Sequence, residues 1–182
     1  MTKEMNRIMI IGAPGAGKST LATKLAAKLS LPLVHLDANY HQPGWTPMDE
    51  DKWREKVAKL VAEDTWVMDG NFSGTFPIRM PRADMIVWLD LPTWACLFRI
   101  FKRIRMYRGQ VRPDMAPGCE ERFDWEFTLW VLNFRRTHFE KTKTALASHG
   151  AGAKHILLRS PREIDTFLQD PLPTLPLKEG GL

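Results

Sequence analysis

The sequence predicts an α/β fold with a parallel sheet, and two observations carry this prediction. Signals for strands and helices alternate along most of the 182 residues, a pattern typical of parallel sheets covered by helices. A glycine-rich loop, 12–19, joins the first apolar run to a helical repeat, as the turn of such a unit does. With 44% hydrophobic residues, the chain is long enough for one domain with its own core. We expect this domain to span residues 1–169.

Five short apolar runs are predicted to be the strands of one sheet with helices on its faces. They are 8–11, 33–36, 66–68, 85–89 and 155–158. Aspartates follow three of them, at Asp37, Asp69 and Asp90. Ligands of open α/β sheets bind at the carboxyl ends of the strands, so Asp37 and Asp69 are candidate site residues. For both, an aspartate that merely ends a strand is the competing interpretation; Asp90 is expected to be structural.

Helices are predicted between these strands. Leu21, Leu25 and Leu29 recur at helical spacing after the glycine loop. Thr46-Pro47 is expected to be the N-cap and first residue of the second helix, because both residue types favour those positions. Tyr40, His41 and Trp45, in the irregular stretch before it, could line a pocket or cover the edge of the core.

Two further helices are predicted in the second half of the chain, and a capping box at 160–163 begins a final one. The helix after Pro92 is expected to face inward with four apolar residues, and Gly109–Gly118 should follow as an exposed loop. The next helix has an aromatic stripe whose spacing favours core packing over a binding surface. The two stripes are Leu97, Phe98, Phe101 and Ile104, and then Phe123, Phe127, Trp130, Val131 and Phe134.

The glycine loop fits the pattern G-x-x-x-x-G-K-[ST] at every position. Its glycines let backbone N–H groups converge on one anion at a helix N-terminus. Lys18 is expected to reach the β- and γ-phosphates, and Ser19 to help hold Mg²⁺. The sequence therefore predicts ATP and Mg²⁺ as cofactors. The predicted nucleotide contacts in this loop are Gly12, Ala13, Pro14, Gly15, Ala16, Gly17, Lys18, Ser19 and Thr20.

The formal charge of +5 is compatible with a nucleic-acid surface or with a clamp for polyphosphate. Six basic residues without an acidic one lie between Arg99 and Arg112. We expect a helical lid at about 103–122, in which Arg103, Arg108 and Arg112 stabilise the transferred phosphoryl group. A solvated helix face is the alternative interpretation. Arg135 and Arg136 could complete the clamp.

Other features bound the class of protein. Cys96 and Cys119 have no metal or redox spacing, and the five histidines have no ligand spacing either. The start of the chain is unlike a signal peptide, and no apolar run approaches a membrane span. We expect a cytoplasmic protein, monomeric or homodimeric, with no membrane partner. The proline-rich tail, 170–182, is expected to be flexible.

Over residues 6–169 the chain resembles adenylate kinase and its relatives. The shared features are Gly12–Ser19, Val67-Met68-Asp69-Gly70 and the segment Leu89–Pro92 followed by Arg99 and Arg103. The wider pattern, including His35-Leu36-Asp37 and Pro43-Gly44-Trp45, is similar to kinase-like proteins often labelled DNA topology modulation proteins.

This resemblance implies a mobile lid that closes over ATP and an acceptor. It implies that Asp69 orients Mg²⁺ together with Ser19, and that Arg99 lies near the nucleotide base. Arg103 becomes a hinge arginine on the phosphates. Arg159, in the loop before the last helix, matches the adenine side by position.

The chain departs from adenylate kinases on the acceptor side. Ser73 and Gly74 stand where an arginine would grip an acceptor phosphate, and the nearest arginines are Arg79 and Arg82. We therefore expect transfer of the γ-phosphoryl group of ATP to a small acceptor, such as a nucleoside, a nucleotide or a related metabolite. Asp37 is the candidate base for a hydroxyl acceptor. A DNA-associated ATP-binding regulatory protein is the alternative, although DNA is the less favoured partner.

Overall fold

The structure, a computed structural model, describes residues 5–169, so the predicted tail lies outside the described residues. Its main sheet has five parallel strands in the order β2-β5-β1-β6-β7, and β3 pairs antiparallel with β4 beside it. This confirms the predicted fold class. The strands are β1 (Arg7–Gly12), β2 (Leu33–His35), β3 (His41–Gln42), β4 (Thr46–Pro47), β5 (Trp66–Asp69), β6 (Met85–Leu89) and β7 (Lys154–Leu158).

Seven α-helices are present in the described part of the chain, with short 3₁₀ turns at 43–45, 73–75 and 80–82. None of the helices within residues 5–169 has the length and apolar character needed to cross a bilayer. The helices are α1 (Lys18–Leu29), α2 (Leu36–Tyr40), α3 (Glu50–Ala62), α4 (Phe76–Arg79), α5 (Thr93–Tyr107), α6 (Trp125–His149) and α7 (Pro161–Gln169).

The central strand β1 is buried on both faces, and its side chains alternate between two hydrophobic clusters. Ile8 and Ile10 pack in the cluster that includes residues of α1 and α7. Met9 and Ile11 pack in the cluster with residues of α3, α4 and α6. Covered faces are what a parallel sheet requires. The two layers of helices leave the carboxyl ends of the strands for the site.

Two predicted boundaries were wrong. Thr46 and Pro47 do not begin a helix but form β4, paired with β3. Helix α3 begins three residues later, where the Asp49 side chain accepts a hydrogen bond from the backbone N–H of Lys52 at 3.2 Å, because an aspartate caps a helix as well as a threonine does. Strand β2 ends at His35, so Asp37 lies in the first turn of α2 rather than at the strand end.

The predicted inward stripe of α5 is rotated in the structure. Phe98 and Phe101 are 67% and 48% exposed, whereas Cys96 and Ile100 are buried. The close approach of the Gly15 backbone explains which face of α5 points inward. A Cβ at Gly15 would come within 2.4 Å of the Cys96 carbonyl oxygen. The glycine loop therefore packs directly on the Cys96–Ile100 face of α5.

The aromatic stripe of α6 is largely not core. Val131 and Phe134 are buried and Trp130 is exposed, while Phe123, also exposed, precedes the helix. Phe127, Trp130 and Phe134 line a cavity. The helical period is as predicted. The helix face that carries these aromatic residues borders the cavity as well as the core.

The segment between α5 and α6, residues 108–124, is more ordered than an exposed loop. Arg112, Met115, Ala116 and Cys119 are buried within it. Its backbone is tied to the turn before α3, because Gly44 N–H donates to the Gly118 carbonyl at 2.9 Å. We call this stretch the α5–α6 segment.

Candidate active site

A cavity of about 1120 Å³ lies at the carboxyl ends of the strands, where open α/β sheets bind their ligands. The glycine loop and α1 form its floor, α6 one wall and the α5–α6 segment its roof. The predicted site residues that line it are Pro14, Gly15, Gly17, Lys18, Ser19, Thr20, Asp37, Arg99, Arg103 and Arg112.

The glycine loop owes its shape to close packing against its neighbours. Gly12 has φ +145°, and a Cβ there would come within 2.3 Å of the Leu89 carbonyl oxygen at the end of β6. Only a residue without a side chain fits such a position. The Asn71 side chain closes the same point: its Oδ1 accepts from Gly12 N–H at 2.9 Å, and its Nδ2 donates to the Gly12 carbonyl.

Lys18 is folded over the glycine loop at the centre of the cavity floor. Its Nζ donates to the carbonyls of Gly12 and Ala13 at 3.0 and 3.1 Å. Burial lowers the pKa of Lys18, while the charges of Asp37 and Asp69 oppose that shift. The ammonium group is therefore set between the loop and the two candidate carboxylates.

Ser19 and Asp69, the predicted metal residues, are in direct contact. The Ser19 hydroxyl donates to Asp69 Oδ2 at 2.8 Å. The other carboxylate oxygen pairs with Nδ1 of His35 at 2.5 Å, and this bond raises the pKa of His35. A hydroxyl next to a carboxylate suits Mg²⁺, which takes oxygen ligands. These two residues therefore fit a magnesium ion.

The sequence analysis did not assign His35 a role. The register of the paired strands β2 and β5 would have indicated one. His35 is the direct register partner of Asp69 in the parallel pair β2–β5. Because both residues end their strands, alignment of the carboxyl ends would have placed them side by side.

Asp37 lines the cavity, and among residues 5–169 no hydrogen bond to its carboxylate is present. Burial raises the pKa of Asp37, Lys18 opposes that shift, and Asp69 adds to it. A carboxylate left without a hydrogen-bond partner among the described residues, beside the lysine predicted to contact phosphate, is available to a substrate.

Arg79 and Arg82 are the arginines nearest to the position where adenylate kinases bind the acceptor phosphate. Both have other partners. Arg79 is fully buried and donates to Thr75 Oγ1 and to the carbonyls of Gly70, Asn71 and Phe72. Burial lowers its pKa to about 9. Arg82 caps the end of α3 by donating to the Val61 and Ala62 carbonyls. Neither residue lines the cavity.

The arginines of the basic run separate into two groups. Arg99 donates to the Ala16 carbonyl at 2.8 Å, which places it on the glycine loop. Arg103 and Arg112 share the buried carboxylate of Glu121, with N–O distances of 3.0 and 2.7 Å. Sequence reasoning missed Glu121, which neutralises the two arginines from the far end of the α5–α6 segment.

Three other arginines do not reach the cavity. Arg108 is exposed and lines a separate surface depression beside Phe101 and Arg105. Arg159 is exposed, and its backbone N–H donates to Glu163 at 2.8 Å. Arg135 forms a two-pronged pair with Asp90 at 3.0 and 3.1 Å, which gives Asp90 the structural role expected of it and leaves Arg135 outside the clamp.

Comparisons with known proteins identify relatives among kinases. No protein-family model matches the chain. A shikimate kinase from Phocaeicola vulgatus is 31% identical over 154 residues, which cover 76% of this chain and 85% of that protein. Among solved structures, the shikimate kinase from Acinetobacter baumannii in complex with shikimate superposes with a TM-score of 0.58, at 14% identity, over 91% of this chain and 89% of that one. The shikimate kinase from Bacteroides thetaiotaomicron gives 0.50 at 19% identity, over 91% and 95%. These two structures support the fold.

Proposed function

Because the chain belongs to the shikimate kinase family, we propose that it transfers the γ-phosphoryl group of ATP to a hydroxyl of its acceptor, with Asp37 as general base. That it is an ATP-dependent phosphotransferase acting on a small acceptor follows from its relatives and its fold. The Asp37 carboxylate is the observation that carries the finer proposal. It lines the cavity, the charge of Lys18 opposes the rise in its pKa, and no described residue hydrogen-bonds to it.

The acceptor oxygen forms a bond to the γ-phosphorus while the bond from that phosphorus to the β–γ bridging oxygen breaks, and ADP leaves with the electron pair. Asp37 takes the hydroxyl proton, and Lys18 offsets the charge on the phosphate oxygens. Mg²⁺, held by Ser19 and Asp69, would neutralise phosphate charge when bound.

Arg99, Arg103 and Arg112 are the proposed phosphate contacts above the loop. Arg103 and Arg112 pair with Glu121, and Arg112 pairs with Asp114 as well, so a phosphate group must compete with these carboxylates for them. Guanidinium forks bind phosphate oxygens in pairs, which suits this exchange. Arg108 and Arg159, which the sequence also suggested, would need a rearrangement of their segments to take part.

The decisive experiment replaces Asp37 by Asn. General-base help is worth about 10²–10⁴ in rate, so we expect turnover to fall at least about tenfold while ATP affinity hardly changes. Shikimate is a natural first acceptor to test because relatives carry that name. Asp51→Asn, an exposed carboxylate of α3, is the matched control and should keep parental turnover. Parental turnover in Asp37→Asn would rule out Asp37 as the general base and favour an acceptor whose attacking oxygen is already ionised.

A DNA-associated role is the second candidate, and exposed basic residues favour it, namely Lys102, Arg105 and Arg108. The resemblance to DNA topology modulation proteins is its other support. Binding of duplex DNA that disappears when ATP fills the cavity would assign the basic residues to phosphate binding. DNA binding that is independent of ATP and is lost in Arg108→Ala would support the DNA-associated role.

A further inference from the structure

One wall of the cavity is aromatic beyond what packing requires. Phe127, Trp130, Phe134 and His138 follow one another along α6 and all line the cavity; we call them the aromatic wall. Their rings touch in sequence, with centroids 5.8 Å apart for Phe127–Trp130 and 5.1 Å for Trp130–Phe134. Phe134 and His138 stack with centroids 4.3 Å apart and planes at 2°. The wall is therefore a continuous aromatic surface.

The central member of this surface is not covered by protein. Trp130 is 43% exposed, although an indole is among the most costly side chains to leave in water. An aromatic surface that is open to a cavity and shaped by its own ring contacts is a feature of small-molecule sites.

The aromatic wall shares its cavity with the proposed base. Helix α6 packs against α5, against α4 and against the turn 80–82. Asp37 and Phe76 line the same cavity as the wall, so a molecule resting on Trp130 shares one space with the proposed base.

Polar groups continue the wall along the same helix. Lys141 and Thr142 line the cavity one turn beyond His138. Among the described residues no hydrogen bond or ion pair engages the Lys141 ammonium group. A lysine and a hydroxyl beside stacked rings match a flat ring that carries hydrogen-bonding heteroatoms at its edge.

We propose that the acceptor carries a planar aromatic ring in addition to its hydroxyl, as a nucleoside does, and that this ring stacks on Trp130. The inference rests on the proposed hydroxyl transfer and names the class of its substrate. The same chemistry is present in simple aromatic alcohols, so the experiment includes both sources. Non-aromatic hydroxyl compounds would leave the wall in contact with water.

Binding is measured by titration calorimetry with ADP present in excess, which occupies the glycine loop. The probes are adenosine, uridine, benzyl alcohol, ribose and shikimate. Stacking of a base on an aromatic side chain contributes enough for at least about tenfold in affinity, so the nucleosides should bind at least that much more tightly than ribose. Benzyl alcohol binding as tightly as adenosine would assign the recognition to the ring alone; weaker binding would assign part of it to Lys141 and Thr142.

Variants locate the ring. Trp130→Ala should lose about tenfold or more in nucleoside affinity, and Trp130→Phe should restore most of it. Trp125→Ala is the matched control, because Trp125 lies on the same helix, is 62% exposed and does not line the cavity. Equal binding of adenosine and ribose, or unchanged affinity in Trp130→Ala, would overturn the inference. A loss of ADP affinity in Trp130→Ala would show that the aromatic wall binds the nucleotide rather than the acceptor, and it would also overturn the inference.

Turnover separates this inference from the proposed function. Nucleoside binding that depends on Trp130, without any ATP-dependent phosphorylation of the nucleoside, would sustain the stacking and refute the transfer. Phosphorylation of shikimate or ribose by the parent protein at least as fast as that of adenosine would sustain the transfer and refute the stacking.

Discussion

At the scale of single residues, three side chains around the glycine loop are hydrogen-bonded to backbone groups rather than to other side chains. Lys18 rests on the carbonyls of Gly12 and Ala13, Arg99 on that of Ala16, and Asn71 on both polar groups of Gly12. None of the three belongs to the two main core clusters of the described residues, so one of them can be exchanged with little effect on the fold.

Lys18→Ala should therefore abolish transfer while the fold is retained. Removing one preorganised donor that faces developing charge lowers turnover by about 10²–10³, and we expect a loss of at least that size. Circular dichroism should be unchanged, because the lysine contributes no apolar packing. An ATP turnover equal to that of the parent would show that the glycine loop does not carry the chemistry.

The pH dependence of transfer should report Asp37. The carboxylate must be ionised to accept a proton, so kcat/KM should rise with pH as Asp37 loses its own proton. Because burial raises the pKa of Asp37, this rise should be centred above the ordinary value of about 3.9. A pH profile of kcat/KM tests this, and the acidic limb should disappear in Asp37→Asn. An acidic limb that survives in that variant would belong to another group.

At the scale of elements, the α5–α6 segment is tied mainly to the stretch 42–45, which lies outside the main sheet. The carbonyls of Gly118 and Glu120 accept from Gly44 N–H and from Trp45 Nε1 at 2.9 and 2.8 Å, and Cys119 packs on Trp45 and donates to the Gln42 carbonyl. The buried Glu121 carboxylate between Arg103 and Arg112 is a further anchor. A segment tied in this way can open separately from the main core.

We expect hydrogen exchange in 109–118 to be fast in the free protein and slow when ATP and acceptor are both bound. Closure of a lid over the phosphoryl group excludes water from it, and the arginines of the segment gain phosphate partners. Exchange that is equally slow in both states would contradict a closing lid.

Glu121→Gln should loosen the same segment. Removing one partner of a buried ion pair costs about 3–5 kcal/mol, and since the Arg103 side chain is 25% exposed we expect the lower end of that range. Native-state hydrogen exchange of 108–124 measures the loss. Glu120→Gln, at the exposed neighbouring position, is the matched control and should exchange like the parent. A Glu121→Gln segment as protected as that of the parent would show that the ion pairs do not hold it.

At the scale of the whole molecule, ligand binding and folding are linked because residues far apart in the chain, from Pro14 to Ala145, line the cavity only in the folded protein. Mg²⁺ and ATP together should stabilise the protein by about 2.7 kcal/mol when ATP is at a hundred times its Kd. For a domain of this size that corresponds to a rise in Tm of roughly 5–10 °C. Thermal unfolding with and without ATP measures it, and Lys18→Ala should lose most of the rise. An equal rise in that variant would place the nucleotide elsewhere.

The sequence predicted the parts of the molecule that depend on local pattern. The glycine loop and the five strands of the main sheet follow from short runs of residues and their order, whereas a shared role of Ser19 and Asp69 was implied by the resemblance to adenylate kinases. The acidic partners of the basic run did not follow, because Glu121 reaches Arg103 only through the fold of the α5–α6 segment. The exposure of Trp130 could not be read from its period either, since a helical face looks the same whether it meets core or cavity.

The buried Arg79 has a consequence for how this site can change. It holds the turn after β5 through main-chain oxygens of residues 70–72 and the Thr75 hydroxyl. The Ser73 side chain, which is exposed and which the turn presents to the cavity, is not what Arg79 hydrogen-bonds, whereas the buried Phe76 ring packs on the Arg79 guanidinium. Evolution or a protein engineer can therefore exchange the residue at 73 to accept a different molecule without redesigning the turn.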